Sequence, residues 1–195
     1  MSRRLRYQVA VSLDGFIARV NGEFDWIVMD PAIDFAAMYA EFAVAVMGRK
    51  THEVVLAMGE GAMPAIDTVV FSRTLAPVTR PGLRITSDDP VAVVTALKAE
   101  PGKDIWLYGG GDLFRTLLAA GLVDTVELAV IPVLLGEGIP LLPPGASTTL
   151  VLSDTKVLPE SGIVVLAYAV PGGVGPAPVI RFVTAAGSAG EPNSP

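Results

Sequence analysis

The most suggestive chemistry in this 195-residue chain lies in Tyr108-Gly109-Gly110-Gly111-Asp112-Leu113, a glycine triplet between a strand-like run and a helix-like one. Without side chains, such a turn lets a phosphate reach backbone N–H groups. The helix dipole behind it favours negative charge by roughly 0.3–1 kcal/mol. A tight turn that packs helix against strand accounts for the same triplet. Two common nucleotide fingerprints are not met: the dinucleotide pattern needs a third glycine where Phe114 stands, and no Gly-Lys-Ser/Thr follows. A second turn, Gly48-Arg49-Lys50-Thr51, offers amides, a hydroxyl and two cations ahead of another helical stretch. Alternatively, Thr51 and Glu53 cap that helix and leave Arg49 and Lys50 in solvent. A third, Ser72-Arg73, sets a hydroxyl beside a guanidinium, which suits a phosphate monoester. Each turn follows a predicted strand, and ligands of open α/β sheets bind at the carboxyl ends of strands. Used together, the three turns would hold a molecule with a pyrophosphate and an extra ribose phosphate.

Composition narrows the remaining chemistry. The chain has no cysteine and one histidine, His52, which excludes disulfides, thiolate nucleophiles and multi-histidine metal centres. No metal is required. A formal charge of −6 gives no basic face for nucleic acid. The basic N-terminus meets Asp14 and Gly15 before a long apolar segment can form, so no signal peptide is expected. The longest uncharged stretch, 161–180, carries Pro171, Pro176 and Pro178 with several glycines, which a spanning helix would not tolerate. A soluble, cytoplasmic protein with a small-molecule substrate is the expectation.

The elements that must position the turns read as about eight strands and four helices. Apolar runs predict strands at Tyr7 to Leu13, Val44 to Met47, Thr68 to Phe71, Leu83 to Thr86, Asp104 to Tyr108, 125–131, 149–157 and 163–170. Three- and four-residue spacing of Phe35, Met38, Tyr39 and Phe42 predicts a helix over 34–43. Further helices are predicted from the Gly48 turn to Met58, from Asp89-Pro90 to about Ala99, and from Leu113 to Ala120. Helix alternates with strand early and strands alone close the chain. This predicts a mostly parallel sheet, covered on both faces, with antiparallel strands at one edge. Residues 171–195, rich in Pro, Gly, Ala and Ser, read as a tail after a domain spanning 1–170.

The order of motifs resembles the dihydrofolate reductase superfamily and, within it, the reductase domain of bacterial riboflavin biosynthesis. The matching pieces are Val11-Ser-Leu-Asp-Gly-Phe-Ile17, Asp25-Trp-Ile27, Met47-Gly-Arg-Lys-Thr51, Val70-Phe-Ser-Arg73, Tyr108-Gly-Gly-Gly-Asp-Leu113 and Ile131-Pro-Val-Leu-Leu-Gly-Glu-Gly138. The resemblance implies a three-layer α/β fold with a central mixed sheet of about eight strands. It also implies NADPH-dependent reduction of a pyrimidine- or pteridine-like substrate. Under it, Ala10 and Ile17 line the nicotinamide side, and Gly48, Arg49, Lys50 and Thr51 hold phosphates and the adenosine half. Ser72 and Arg73 take the 2′-phosphate, and Gly109, Gly110, Gly111, Asp112 and Leu113 hold the pyrophosphate. Trp26 matches a cofactor-contacting tryptophan; a core aromatic is the alternative. Asp14 is assigned a structural role in its turn. Asp34 is the acid nearest the place where a pterin-binding carboxylate stands, with Glu41 and Asp30 as competitors. Relatives of the riboflavin type are commonly homodimers, which the high apolar content allows. The other class of function open to the same fold is a non-catalytic nucleotide-binding or oligomeric module.

Overall fold

Short runs of Val, Ile, Leu and Ala fill the strands, and turn residues punctuate them. The computed structural model describes residues 3–59 and 63–174. Its elements are β1 (Leu5–Ser12), β2 (Phe16–Ala18), α1 (Phe35–Tyr39), β3 (Phe42–Gly48), α2 (Arg49–Met58), β4 (Asp67–Phe71), β5 (Val78–Arg80) and β6 (Leu83–Thr86). They continue through α3 (Pro90–Ala99), β7 (Asp104–Gly109), α4 (Gly111–Ala119), β8 (Thr125–Ile131), β9 (Ile139–Pro140), β10 (Val151–Val157) and β11 (Val164–Ala169). Nine strands form one sheet in the order β10-β11-β8-β1-β7-β3-β4-β6-β5, and β2 pairs with β9 in a separate ribbon.

The stretch from β8 to β6 is parallel throughout. Antiparallel strands close both edges, β11 and β10 on one side and β5 on the other. This corrects the expectation of a single antiparallel edge. Strand β5 was invisible because it is three residues long and sits between Pro77 and Pro81. The two-residue pairing of β9 with β2 is likewise below what periodicity can register.

A second correction concerns the helix predicted over 34–43. Only Phe35–Tyr39 is helical, and Phe42 already begins β3. Phe42 is buried by sheet contacts, stacked on Trp106 at 5.3 Å with the Arg6 guanidinium 4.7 Å above its ring. Glu41 in turn reaches Arg6. Tertiary partners therefore override the helical spacing.

The sheet is covered on both faces. Helices α3 and α4 close over Leu5, Tyr7, Val46, Ile105 and Leu107, with Tyr7 stacked on Phe114 at 3.9 Å. On the opposite face, α1 and α2 cover Ala45, Met47, Val70 and Trp106. The segment carrying Trp26, Ile27 and Ile33 covers β8 and β11 there. That segment is pinned by Asp30, whose carboxylate accepts Ala32 N–H at 2.8 Å and Ser161 O–H at 2.6 Å.

The amino ends of β1, β7 and β8 carry a buried ion network. Arg6 grips Glu127 through two bonds of 2.8 and 2.7 Å, and Arg4 holds Asp104 at 2.6 Å. Lys98 pairs with Asp124. Of the tail expected over 171–195, Pro171–Val174 fold back on the domain: Val174 N–H donates to Asp124 at 2.7 Å. The rest of the tail, from 175 on, lies outside the described residues. Among the described residues, no helix is long and apolar enough to cross a membrane.

Candidate functional site

The three turns meet at one end of the sheet. Gly48 closes β3, Phe71 closes β4 and Gly109 closes β7, and these strands are parallel neighbours in the order β7-β3-β4. Strand β7 leads into α4 on one face and β3 into α2 on the other. Connections that depart on opposite faces leave a crevice at the strand ends, where sheets of this kind take ligands.

Local chemistry fits an anion in that crevice. Helices α2 and α4 begin on Gly48 and Gly110, and neither has a side-chain cap. By contrast, α1 and α3 are capped by Asp34, accepting from Ala37 N–H, and Asp89, accepting from Val91 N–H. First-turn N–H groups that no side chain satisfies are the donors an anion uses. Thr51 spans the two turns: a Cβ placed on Gly110 would lie 3.5 Å from its Oγ1, and one on Gly109 would lie 3.7 Å away. The Gly109–Gly110 peptide is cis, and Gly109 has φ +138°, a conformation that favours glycine. Gly111 is bound by space instead, because a Cβ there would fall 2.9 Å from the Pro140 carbonyl oxygen.

The side chains of the turns divide by availability. Lys50 and Arg73 are exposed and make no ion pair or hydrogen bond among the described residues. Arg49 is tied to Glu53 at 2.6 Å, and Asp112 to Arg115 at 3.1 Å. Leu113 is buried in the core under α4, so its contribution to a ligand is confined to its backbone. Ser72 is buried, and its hydroxyl oxygen accepts Leu75 N–H at 2.9 Å and Thr74 N–H at 3.2 Å. It shapes the turn from which Arg73 projects. His52, in the first turn of α2, is buried, and burial pulls its pKa down.

Ala10 and Trp26 lie on the face that α1 and α2 cover. Ala10 on β1 packs beside Trp26, which is buried against Ile131, Ile163 and Val165 with its Nε1–H unpaired among the described residues. Ile17 belongs to β2. Asp14 ties the loop after β1 to the loop after β8, accepting Leu135 N–H at 2.9 Å and Gly136 N–H at 2.7 Å. The Ser12 hydroxyl, with the Gly136 amide, holds the Asp14 carboxyl below its ordinary pKa. These bonds give Asp14 the structural role assigned to it. Asp34 spends Oδ1 on the cap of α1 at 2.9 Å.

Sequence reasoning passed over an aromatic group on this face. Tyr39 from α1 lies 5.5 Å from Trp106, and Tyr108 meets Trp106 edge-on at 4.7 Å. The spacing of Trp106 and Tyr108, two apart on one strand, puts both on one face and was the available signal.

Comparison with known proteins places the chain. It is 35% identical over 179 residues to the uncharacterized protein YyaP of Bacillus subtilis, covering 85% of this chain and 94% of that one. Uncharacterized protein YwjB of the same organism is 31% identical over 146 residues, covering 72% of this chain and 83% of that one. The crystal structure of a putative riboflavin biosynthesis protein from Shewanella sp. PV-4 superposes with a TM-score of 0.74 at 25% identity. That match covers 87% of this chain and 99% of the other. Residues 3–164 match the RibD C-terminal domain. With that match spanning most of its length, this chain belongs to the RibD C-terminal domain family, a family of reductases.

Proposed function

We propose that the chain is an NADPH-dependent reductase acting on a pyrimidine- or pteridine-like substrate. The observation that carries this reading is the adjacency of β7, β3 and β4, whose three turns open on one crevice with two uncapped helix starts and two cations unpaired among the described residues. A dinucleotide with an additional phosphate matches that set in charge and extent. The Gly110–Leu113 backbone and the start of α2 would hold the pyrophosphate. Arg73, with Ser72 fixing its turn, would read the 2′-phosphate. Lys50 would add a second positive charge, and Ala10, Ile17 and the Trp26 region would flank the nicotinamide.

When bound, the dihydronicotinamide supplies a hydride. The chain's own contribution is to orient the two partners and to exclude water from the crevice at the ends of β7, β3 and β4. Asp34 keeps Oδ2 for the polar edge of a heterocycle.

Thermal unfolding with NADPH, NADH and FMN tests the reading. Ligand at a hundred times its Kd stabilises by about 2.7 kcal/mol, so NADPH should raise Tm well above either competitor. Equal shifts from NADPH and NADH would remove the 2′-phosphate from the reading. Absence of any shift would leave a non-catalytic module on the same fold.

A further inference from the structure

Tyr108 occupies an unusual place in the sheet. On one side, the ladder between β1 and β7 ends at the Tyr7–Leu107 pair. On the other, Val46 of β3 pairs with Leu107 and Met47 with Gly109, so Tyr108 is skipped. It is thus the extra residue of a bulge, without a register partner on either flank, immediately before the glycine turn. Bulges of this sort re-aim a side chain and are over-represented beside active sites. The ring leans edge-on against Trp106, which is anchored by its indole N–H on the Gln8 carbonyl at 3.2 Å. Tyr39 approaches from α1 against the same indole. The phenols of Tyr39 and Tyr108 make no hydrogen bond among the described residues, and Gln8, whose backbone carbonyl accepts the Trp106 indole, has a buried Oε1 with no partner among them either. Burial raises the ionisation of both phenols above its ordinary range, and for Tyr108 the neighbouring Tyr39 adds to the rise. Each therefore holds its proton at neutral pH.

We infer that Tyr108 is the proton donor of the reduction, with Tyr39 and Gln8 as the polar groups through which its proton is replaced. The inference rests on the reductase reading above and adds to it the group that completes the chemistry. As the electrophilic carbon of a C=N or C=O accepts hydride, the π electrons move onto nitrogen or oxygen, and that atom takes the phenolic proton. Solvent returns a proton to the tyrosinate along Tyr39. Each turnover oxidises one NADPH and consumes one proton.

The test places 3,5-difluorotyrosine, whose phenol ionises closer to neutral pH, at position 108 of the full chain and follows phenolate absorbance against pH with and without NADP+. The positive nicotinamide should lower the midpoint by about two pH units, as expected for a unit charge about 6 Å away at an effective dielectric near 20. The same label at Tyr168, which packs on the α3 and α4 face, should not move. In parallel, Tyr108→Phe should keep the NADPH-induced rise in Tm. It should lose about a hundredfold or more in kcat with whichever of dihydrofolate, a ribosylaminopyrimidine phosphate or a simple aldehyde the wild type reduces. A stationary midpoint at 108 while NADP+ still raises Tm overturns the proton-donor assignment alone, as does an unchanged kcat. Failure of NADP+ and NADPH to raise Tm overturns the reductase reading and this assignment with it.

Discussion

The two ends of the central sheet handle charge in opposite ways. At the amino end, buried charges are spent on one another: Arg6 on Glu127, Glu41 and Asp104, Arg4 on Asp104, and Lys98 on Asp124. At the carboxyl end, Lys50 and Arg73 stand unpaired among the described residues, and two helices start on uncapped glycines. The difference is not one of supply, since the acidic residues outnumber the basic ones, 20 to 14. Pairing the buried cations at the amino end consolidates the domain, while leaving donors open at the other end preserves a place for an anion. Stability and ligand binding are thereby separated along the strand direction, and mutations at each end should affect one and spare the other.

The largest effect should come from the amino end. Arg6 is 2% exposed and Glu127 1% exposed, and Glu127 also accepts the Thr125 hydroxyl at 2.8 Å. Glu127→Ala removes two charge-assisted bonds and leaves the buried guanidinium with partners at its other nitrogen only. Breaking a buried pair from one side costs about 3–5 kcal/mol. Denaturant unfolding should show that loss, while the ratio of NADPH to NADH affinity stays at the wild-type value. A loss under about 1 kcal/mol would erase the contrast between the ends.

Arg73→Ala should act at the other end with the opposite signature. Its guanidinium carries no structural bond, so Tm without ligand should hold. Losing a charge-assisted bond to phosphate costs about 1.5–3 kcal/mol, or roughly tenfold to a hundredfold in NADPH affinity, with NADH unaffected. Titration calorimetry with both dinucleotides reads the split directly. An NADPH/NADH preference that survives the substitution would assign the phosphate to another group.

The sequence disclosed these ends unequally. Strand β7 and the helix after it were legible because a short apolar run meets glycines and then a helical pattern. Asp89-Pro90 was legible because cap and N1 residue agree. The ion network was not, because Arg6 and Glu127 are 121 positions apart and nothing local marks either as a partner. Nor was the bulge at Tyr108, since register between strands depends on the neighbouring chain and not on the run itself. Ser72 shows a finer limit. Its pairing with Arg73 was readable, but its hydroxyl turns inward to its own loop, which only the path of residues 72–75 determines.

Glycines sharpen the comparison at the smallest scale. Gly111 is required by the fold itself, since a Cβ would meet the Pro140 carbonyl oxygen at 2.9 Å. Gly48 has no such reason: its φ of −81° and ψ of 163° suit any residue, and a Cβ there would meet nothing within 4 Å. The protein alone therefore loses nothing by carrying alanine at 48, and a stiffer unfolded chain would gain about 0.4–1 kcal/mol. If the empty space above Gly48 belongs to a phosphate approaching the start of α2, a methyl group there keeps the phosphate from the backbone amides. Gly48→Ala should accordingly unfold at a slightly higher denaturant concentration while its NADPH-induced Tm shift shrinks. A variant that gains stability and keeps the full shift would mean that the phosphates lie nearer β7, against Gly110 and Gly111, and that the β3 turn serves only to position Thr51.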